Sequence, residues 1–154
     1  DSDWPVMQAT VDVLKSLQVE CEVRVSSAHR TPAETAAYVS DASVRGCEVF
    51  ICAAGMAAHL AGAVAAHTTK PVIGVPIDAG PLAGFDALLS TAQMPGGIPV
   101  ATVAVGKAGA KNAGYLAAQM LGIADKALAE RVAADRDANR QKVLQANEAL
   151  QSQL

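Results

Sequence analysis

The sequence has few charged and few aromatic side chains. Of its 154 residues, 18% are charged and 3% are aromatic, whereas a typical globular domain carries about 25% charged residues. Apolar residues make up 51% of the chain, and alanine alone accounts for 33 positions. This apolar content excludes intrinsic disorder, and the length predicts one domain with a single core. A surface so short of charge needs an explanation.

The sequence also lacks a disulfide framework and an excess of basic residues. Cys21, Cys47 and Cys52 form no CxxC pair; two lie in predicted strands and one just before a strand, positions typical of buried thiols. We therefore expect free thiols in a reducing cytoplasm. The formal net charge of −3 argues against a nucleic-acid partner and against an anionic membrane surface, both of which favour basic proteins.

Two uncharged runs, Val49 to Thr69 and Ala87 to Gly106, are long enough to raise the question of a membrane span. The first contains two histidines and two threonines, and the second is interrupted by two prolines and two glycines. We therefore expect no membrane span. No signal-peptide pattern is present either, which is consistent with a cytoplasmic protein.

Apolar periodicity and the positions of proline and glycine predict strands that alternate with helices. The predicted helices cover residues 4–18, 31–45, 57–67, 85–93, 111–121 and 125–150, and the predicted strands cover 21–26, 49–53, 71–76 and 100–105. Such alternation predicts βαβ units with a parallel sheet and helices on both faces. The fold prediction is an α/β protein with a three-layer α/β/α sandwich. Because no strand separates Asp1 from the first helix, we expect one more strand before residue 1.

No internal repeat or linker divides the chain. We expect residues 1–124 to form one α/β domain that carries the functional site. The charged, glutamine-rich helix within residues 125–154 is expected either to belong to the same domain or to pack on a neighbouring subunit.

In parallel sheets of this kind, ligands bind beyond the carboxyl ends of the strands. This rule brings the loops at residues 1–3, 26–30 and 54–59 to one rim. In the second loop, His29 is suited to proton transfer near neutral pH. Its neighbour Arg30 offers a planar set of donors to a carboxylate or a phosphate.

Other features allow two interpretations. Asp3 is explained as an N-cap of the first helix, although that helix start could also hold a phosphate or a ribose hydroxyl. His59 could be a core histidine or a ligand contact. The glycine-rich segment Gly106 to Asn112 fits a phosphate loop or a helix start of small residues equally well. No Walker loop, GxGxxG, nucleophile elbow or metal-ligand spacing occurs.

Several motifs together are similar to one known family. They are Ser2-Asp3-Trp4, Ser27-Ala28-His29-Arg30-Thr31-Pro32, Ala57-Ala58-His59-Leu60, Gly74-Val75-Pro76 and the segment from Gln93 to Val100. In this order they resemble the N5-carboxyaminoimidazole ribonucleotide mutase family of purine biosynthesis, of the bacterial class I type. The resemblance extends from Asp1 to about Leu121, and the sandwich is accordingly expected to be flavodoxin-like.

The resemblance implies an isomerase that needs neither a metal nor a cofactor. Its small-molecule substrate would be an aminoimidazole ribonucleotide, whose carboxylate moves from the exocyclic N5 to ring carbon C4. The resemblance makes His29 the proton-transfer residue and places Asp3 and Arg30 on the ribonucleotide. The other residues that it implies for the pocket are Ser2, Ser27, Gly55, Ala57, His59 and Leu60. It further implies a homo-octamer with sites at subunit contacts, and extensive interfaces would explain the scarcity of charge.

The sequence departs from the family at one loop, where Ala53 and Met56 stand in place of glycines and Ala61 in place of a proline. We expect Met56 to affect rate or loop geometry. Two alternative functions stay open. One is direct carboxylation of aminoimidazole ribonucleotide by CO₂, where a lysine typically takes the position of Arg30. The other is a non-catalytic nucleotide- or phosphosugar-binding module, which would give His29 no task.

Overall fold

The computed structural model describes residues 1–154 and contains six helices and three strands. The helices are α1 (Trp4–Ser16), α2 (Pro32–Val44), α3 (Leu60–Ala65), α4 (Phe85–Ala92), α5 (Gly106–Gly122) and α6 (Lys126–Gln151), and the strands are β1 (Phe50–Gly55), β2 (Val72–Ile77) and β3 (Ala101–Thr102). None of these helices combines the length and the hydropathy that a membrane crossing requires.

The three strands form a parallel sheet in the order β1-β2-β3. β1 and β2 are paired along their whole length, from Phe50 opposite Val72 to Gly55 opposite Ile77. Every residue of β2 is buried, because a central parallel strand is covered on both faces and must be apolar on both. The predicted parallel sheet is confirmed.

Helices cover both faces of the sheet, as the sequence predicts. On one face, α1 and α5 pack against Ile73, Val75 and Ile77 of β2. On the other face, α2 and α3 pack against Phe50 and Cys52 of β1. The three-layer α/β/α sandwich is therefore confirmed.

Small residues let α5 approach its neighbours closely. Its alanines at 110, 113 and 117 are almost completely buried against the sheet. A Cβ added at Gly114 would lie 3.0 Å from the carbonyl oxygen of Thr10 and 3.0 Å from the side chain of Val13. Part of the alanine and glycine content is therefore required by helix packing inside one chain.

The predicted strand at residues 21–26 is wrong. The segment has no regular secondary structure, and the side chains of Val23 and Val25 are 57% and 74% exposed. No strand pairs with this segment. A side-chain contact attaches it to α2 and the turn that follows α2. Glu22 accepts hydrogen bonds from Arg45 of the turn after α2, at 2.7 Å, and from Tyr38 of α2, at 2.6 Å.

This attachment is strongly electrostatic. The Arg45 guanidinium, followed by the Tyr38 hydroxyl, lowers the pKa of Glu22 to about 2. Burial and the contact with Glu22 raise the pKa of Tyr38 to about 12. The carboxylate and the neutral phenol therefore persist together over the whole range around neutral pH.

The glycine-rich segment at 106–112 forms the start of a helix. α5 begins at Gly106, five residues before the predicted start, and the predicted strand at 100–105 is shortened to Ala101–Thr102. Gly106 has φ +70°, which favours glycine. At Gly109 any side chain would collide with the carbonyl group of Ala104. Gly109 therefore permits the approach of backbone to backbone, whereas Gly106 provides a left-handed backbone beside the side chain of Asp78. Similarly, the helix predicted at 57–67 is limited to Leu60–Ala65.

The first three turns of α6 pack on the rest of the chain, and Asp135 in the third turn accepts a hydrogen bond from the Tyr115 hydroxyl at 2.8 Å. Leu128 is buried with Val13, Leu17 and Ala118, and the Asp125 side chain caps the helix by accepting a hydrogen bond from the Leu128 N–H at 3.0 Å. Every residue from 136 to 154 is exposed. The helix thus joins the domain at one end and extends away from it.

Candidate active site

Two loops of the chain bring two histidines together. The rings of His29, between residues 21–26 and α2, and His59, directly before α3, stack with centroids 5.7 Å apart and planes inclined by 22°. Both residues are exposed to solvent. The sequence-based expectation that these two loops meet at one rim of the sheet is confirmed for this pair. His59 is therefore not a core histidine.

The loop that carries His29 is closed by its own side chains. Thr31 Oγ1 donates to the carbonyl oxygen of Ser27 and accepts from the Ser27 N–H, each at 3.0 Å. The Thr31 N–H donates to the same carbonyl at 2.9 Å. Pro32 then begins α2 with its backbone already suited to a helix. The backbone on both sides of His29 is fixed by these contacts.

A hydrogen bond to Ser27 holds the Nε edge of the Arg30 guanidinium. Its Nε donates to Ser27 Oγ at 3.5 Å, and its backbone N–H donates to the same oxygen at 3.2 Å. The Nε contact leaves the two terminal amino groups available to an anion. The exposed position of Arg30 next to His29 is therefore compatible with binding a carboxylate or a phosphate.

Asp3 occupies the N-cap position of α1, but its side chain caps no N–H group. Its backbone has φ −86° and ψ −10°, whereas a capping residue is normally extended so that its side chain can reach the N–H groups. Asp3 Oδ1 instead accepts a hydrogen bond from Ser2 Oγ at 2.9 Å. The capping interpretation is therefore wrong, and the carboxylate is available to a ligand. Asp3 and Leu60 line the same cavity, which brings their two loops to one region of the chain.

The loop after β1 divides into packing residues and rim residues. A Cβ added at Gly55 would lie 2.8 Å from the Cβ of Ala79, so this glycine permits the close approach of the loop after β2. Leu60 packs against the cluster between α2 and α3. Ala57 and His59 are exposed and remain able to contact a ligand.

Two further residues contribute to this region, of which the sequence pointed to Met56 but not to Ser26. The Oγ of Ser26 forms a 2.5 Å hydrogen bond with Thr35 Oγ1 and ties the loop to α2. Met56 adopts φ +56°, in the left-handed region that favours glycine. Its Cγ lies 3.3 Å from the place of a Cβ at Gly80, so it contacts the next loop. The family usually has a glycine at the position of Met56. That glycine was the sequence signal for a left-handed backbone at this position.

The buried and half-buried cysteines are poor nucleophiles, and the structure offers no metal site. Burial raises the pKa of the Cys52 thiol to about 12 and also raises the pKa of Cys47, so both stay protonated near neutral pH. Within residues 1–154 no three His, Cys, Asp or Glu side chains are placed to hold a metal ion together. The chemistry that this rim offers is proton transfer by imidazole beside a guanidinium.

Replacement of Met56 by glycine is expected to stabilise the protein. A side chain at φ +56° costs about 1 kcal/mol that glycine does not, so Met56→Gly should raise the free energy of unfolding by about that amount in urea titrations. Ala57→Gly is the matched control, because Ala57 is exposed in the same loop without a positive φ. Ala57→Gly should lower the free energy of unfolding. A decrease of similar size in both variants would contradict backbone strain at Met56.

Comparisons with known proteins agree with this fold. The model of the AIR carboxylase family matches residues 1–142. The N5-carboxyaminoimidazole ribonucleotide mutase of Bacillus subtilis is 50% identical over 149 residues, which cover 97% of this chain and 92% of that protein. The mutase of the same name from Mycobacterium tuberculosis is 54% identical over 137 residues, covering 89% of this chain and 78% of that protein. The crystal structure of Treponema denticola PurE superposes with a TM-score of 0.86 at 27% identity, covering 97% and 92% of the two chains. The resemblance inferred from the motifs is confirmed, and the chain belongs to the AIR carboxylase family.

Proposed function

We propose that this protein is an N5-carboxyaminoimidazole ribonucleotide mutase, an isomerase of purine biosynthesis. It converts its substrate into 4-carboxy-5-aminoimidazole ribonucleotide, a small-molecule reaction without nucleic acid or membrane as partner. The proposal is supported by the names of relatives that are 50% and 54% identical over most of the chain. The structural observation that carries it is the stacked pair His29–His59 beside Arg30.

The reaction needs one proton to change places and no net gain or loss of atoms. When the bond between N5 and the carboxylate carbon breaks, CO₂ is released and the electron pair stays on N5, which takes a proton. The C4 carbon of the electron-rich ring then attacks CO₂ and forms the new C–C bond. The proton on the tetrahedral C4 leaves, and the ring recovers its aromaticity. One acid–base group within reach of both N5 and C4 is sufficient.

His29 is the residue that we assign to this proton transfer. As an imidazolium it donates a proton to N5, and as a neutral imidazole it accepts the proton from C4. The fixed backbone around it and the ring of His59, stacked 5.7 Å away, limit where its ring can lie. His59 thereby contributes to the pocket as a neighbour of both His29 and the substrate.

The polar residues at the rim fit the two ends of a ribonucleotide. The free amino groups of Arg30 bind an anionic group of the substrate, since a guanidinium offers two parallel donors to a carboxylate or a phosphate. The carboxylate of Asp3 accepts hydrogen bonds from ribose hydroxyls, and Ser2 and Ser27 orient Asp3 and Arg30 through the contacts described above.

Small apolar groups suit the step in which CO₂ is free. Lost CO₂ would end the reaction, so the pocket must hold it and exclude water. Gly55, Ala57 and Leu60 line the loop beside His59 and present backbone and hydrocarbon to it. None of them competes for the proton that His29 carries.

Two observations separate this function from its alternatives. Arg30, where direct carboxylases of aminoimidazole ribonucleotide typically carry lysine, favours the mutase. A non-catalytic module would leave the exposed, stacked His29 without a task. The test is to add the carboxyamino substrate to purified protein and to follow the ultraviolet absorbance of the C4-carboxylated product. Binding without conversion would exclude the enzyme, and product formed only from aminoimidazole ribonucleotide and CO₂ would identify the carboxylase.

His29→Asn should abolish turnover and leave the fold intact. Loss of a general acid–base group costs about 100-fold or more in rate, whereas His29 is exposed and its replacement creates no cavity. The absorbance assay measures turnover, and thermal unfolding and calorimetric titration measure stability and nucleotide binding. His67→Asn is the matched control, because His67 is exposed at the end of α3, outside the rim. An active His29→Asn protein would refute the proton-transfer role.

Arg30→Ala should weaken substrate binding more than it slows the chemical step. Loss of a charge-assisted contact is expected to raise KM by about 10- to 100-fold with a smaller change in kcat. Lys70→Ala serves as the control, since Lys70 pairs with Glu48 at 2.9 Å near the amino ends of β1 and β2, opposite the rim. Steady-state kinetics on both variants measure KM and kcat. An unchanged KM in Arg30→Ala counts against a contact between Arg30 and the substrate.

The protein is also proposed to act as a cytoplasmic homo-octamer whose sites lie at subunit contacts. Three large apolar side chains, Leu82, Phe85 and Leu89, are exposed at successive turns on and before α4, an arrangement typical of an interface. The exposed length of α6 beyond residue 135 offers a second surface for a neighbour. In this assignment residues 1–124 are the catalytic domain and residues 125–154 are shared with the neighbouring subunit.

Light scattering tests the assembly. The expected mass is about eight times the 15.7 kDa of one chain, because closed symmetric assemblies are the common way to cover such faces. Phe85→Glu should reduce the mass by placing a charge in the interface, whereas Val44→Glu, at an exposed position on α2, is the control for added charge. A monomeric parent protein would contradict the proposal.

A further inference from the structure

Two side-chain hydroxyls join the chain before His29 to the helix after it. Ser26 Oγ and Thr35 Oγ1 lie 2.5 Å apart and form a hydrogen bond. Ser26 precedes the loop that carries His29, and Thr35 belongs to the beginning of α2. Thr35 is only 3% exposed, so water does not readily replace Ser26 as its partner. The contact therefore closes the loop across its base.

The direction of this hydrogen bond follows from the number of protons available. A hydroxyl has one proton to donate, and the Thr35 hydroxyl donates it to the carbonyl oxygen of Thr31 at 2.7 Å. Thr35 Oγ1 is thus left as an acceptor, and the Ser26 hydroxyl donates to it. The three groups form one directed chain, from the Ser26 hydroxyl through the Thr35 hydroxyl to the Thr31 carbonyl.

This chain of hydrogen bonds continues to the residues on both sides of His29. The Thr31 hydroxyl donates to the Ser27 carbonyl at 3.0 Å, and the Arg30 N–H donates to Ser27 Oγ at 3.2 Å. The contacts between Ser27 and Thr31 set the conformation of the loop itself. The contact between Ser26 and Thr35 lies outside them and sets the angle at which the loop meets α2.

We propose that Thr35 is a positioning residue for His29, and that its buried hydroxyl acts through Ser26 to hold the imidazole where it exchanges a proton with the substrate. This inference rests on the proposed function. Thr35 itself is buried beneath the loop and is not a catalytic residue. Misplacement of a reacting group by about 1 Å costs about 100-fold in rate, so a contact that sets the angle of the loop has a measurable effect on turnover.

The two functional side chains of the loop respond differently to a change in its angle. His29 has a short side chain whose ring is stacked on that of His59, with centroids 5.7 Å apart, so it has little freedom to follow the substrate. Arg30 has a long, exposed side chain that still reaches an anion after a small shift of its backbone. Loss of the contact between Ser26 and Thr35 therefore affects kcat more than KM.

Thr91 provides a matched control in another helix. It is also 3% exposed, and its hydroxyl donates to the carbonyl oxygen of Ala87, four residues earlier, at 2.7 Å. This is the contact that Thr35 makes with Thr31, but Thr91 has no counterpart of Ser26. It lies in the last turn of α4, which leads toward the start of β3 and away from the rim. Replacement by valine keeps the volume at both positions and removes the contact with a second hydroxyl only at Thr35.

Steady-state kinetics with the carboxyamino substrate test the proposal. Thr35→Val and Ser26→Ala should each lower kcat by about tenfold with a smaller change in KM. The double variant should lose no more than either single variant, because both changes remove the same contact. Thr35→Ser keeps the hydroxyl and should restore most of kcat, and Thr91→Val should keep the kcat of the parent. Urea titrations establish that each variant is folded.

A second measurement requires no turnover. The chain has three histidines, so protein labelled with ¹³C at histidine Cε1 gives three signals, which single replacements by asparagine assign. The signal of His29 depends on the distance and angle between its ring and that of His59. Thr35→Val should shift this signal, whereas Thr91→Val should leave it in place.

The opposite outcomes overturn the proposal. They are an unchanged kcat or an unchanged His29 signal in folded Thr35→Val, an equal loss of kcat in Thr91→Val, and a failure of Thr35→Ser to restore kcat. If Thr35→Val does not fold, Ser26→Ala decides the question, since Ser26 is only half-buried. A parent protein without turnover would contradict the proposed function, and the His29 signal would still decide whether Thr35 positions the imidazole.

Discussion

The close packing of α5 on β2 and α1 is the constraint on which the rest of the structure depends. β2 is the only strand paired on both sides, and its apolar residues on one face are covered by the alanines of α5. At Gly109 and Gly114 the helix meets backbone or side-chain atoms with no room for a Cβ. Packed interiors tolerate neither gaps nor extra methylene groups. The contact of α5 with β2 therefore sets the position of the sheet, and the sheet in turn sets the positions of the loops at its rim. The low charge and high alanine content follow partly from this packing.

The sequence predicted what depends on local periodicity and missed what depends on neighbours. The parallel sheet and its helical layers follow from alternating apolar patterns, and α2 ends before Gly46 with its φ of +98° as glycine predicts. Residues 21–26 have the composition of a strand, but a strand exists only when another edge pairs with it. The start of α5 was placed late because glycine disfavours helices in isolation, whereas here the contact of Gly109 with Ala104 requires it.

Much of the candidate site was also predictable, for a topological reason. The loop with His59 follows β1, the loop with His29 follows a segment with the composition of a strand, and the carboxyl ends of parallel strands meet at one edge. The stacking of the two rings could not be foreseen, because it depends on where α3 begins. The left-handed backbone of Met56 became visible only in the structure, since a methionine gives no sign of positive φ by itself. One of the two interpretations of Asp3, that its side chain caps α1, was wrong because capping requires an extended backbone that this residue does not adopt.

The turn formed by Ser27 and Thr31 has a thermodynamic consequence for the substrate binding proposed at this loop. Ordering the backbone of a flexible loop costs about 1–2 kcal/mol per residue, and this cost would fall on the association step if the loop closed only around the nucleotide. Here the hydrogen bonds of Thr31 with Ser27 and the helical start at Pro32 order the loop during folding. The conformational entropy of the residues around the imidazole has therefore been lost before the substrate arrives, and the binding energy of the nucleotide remains for the chemical step.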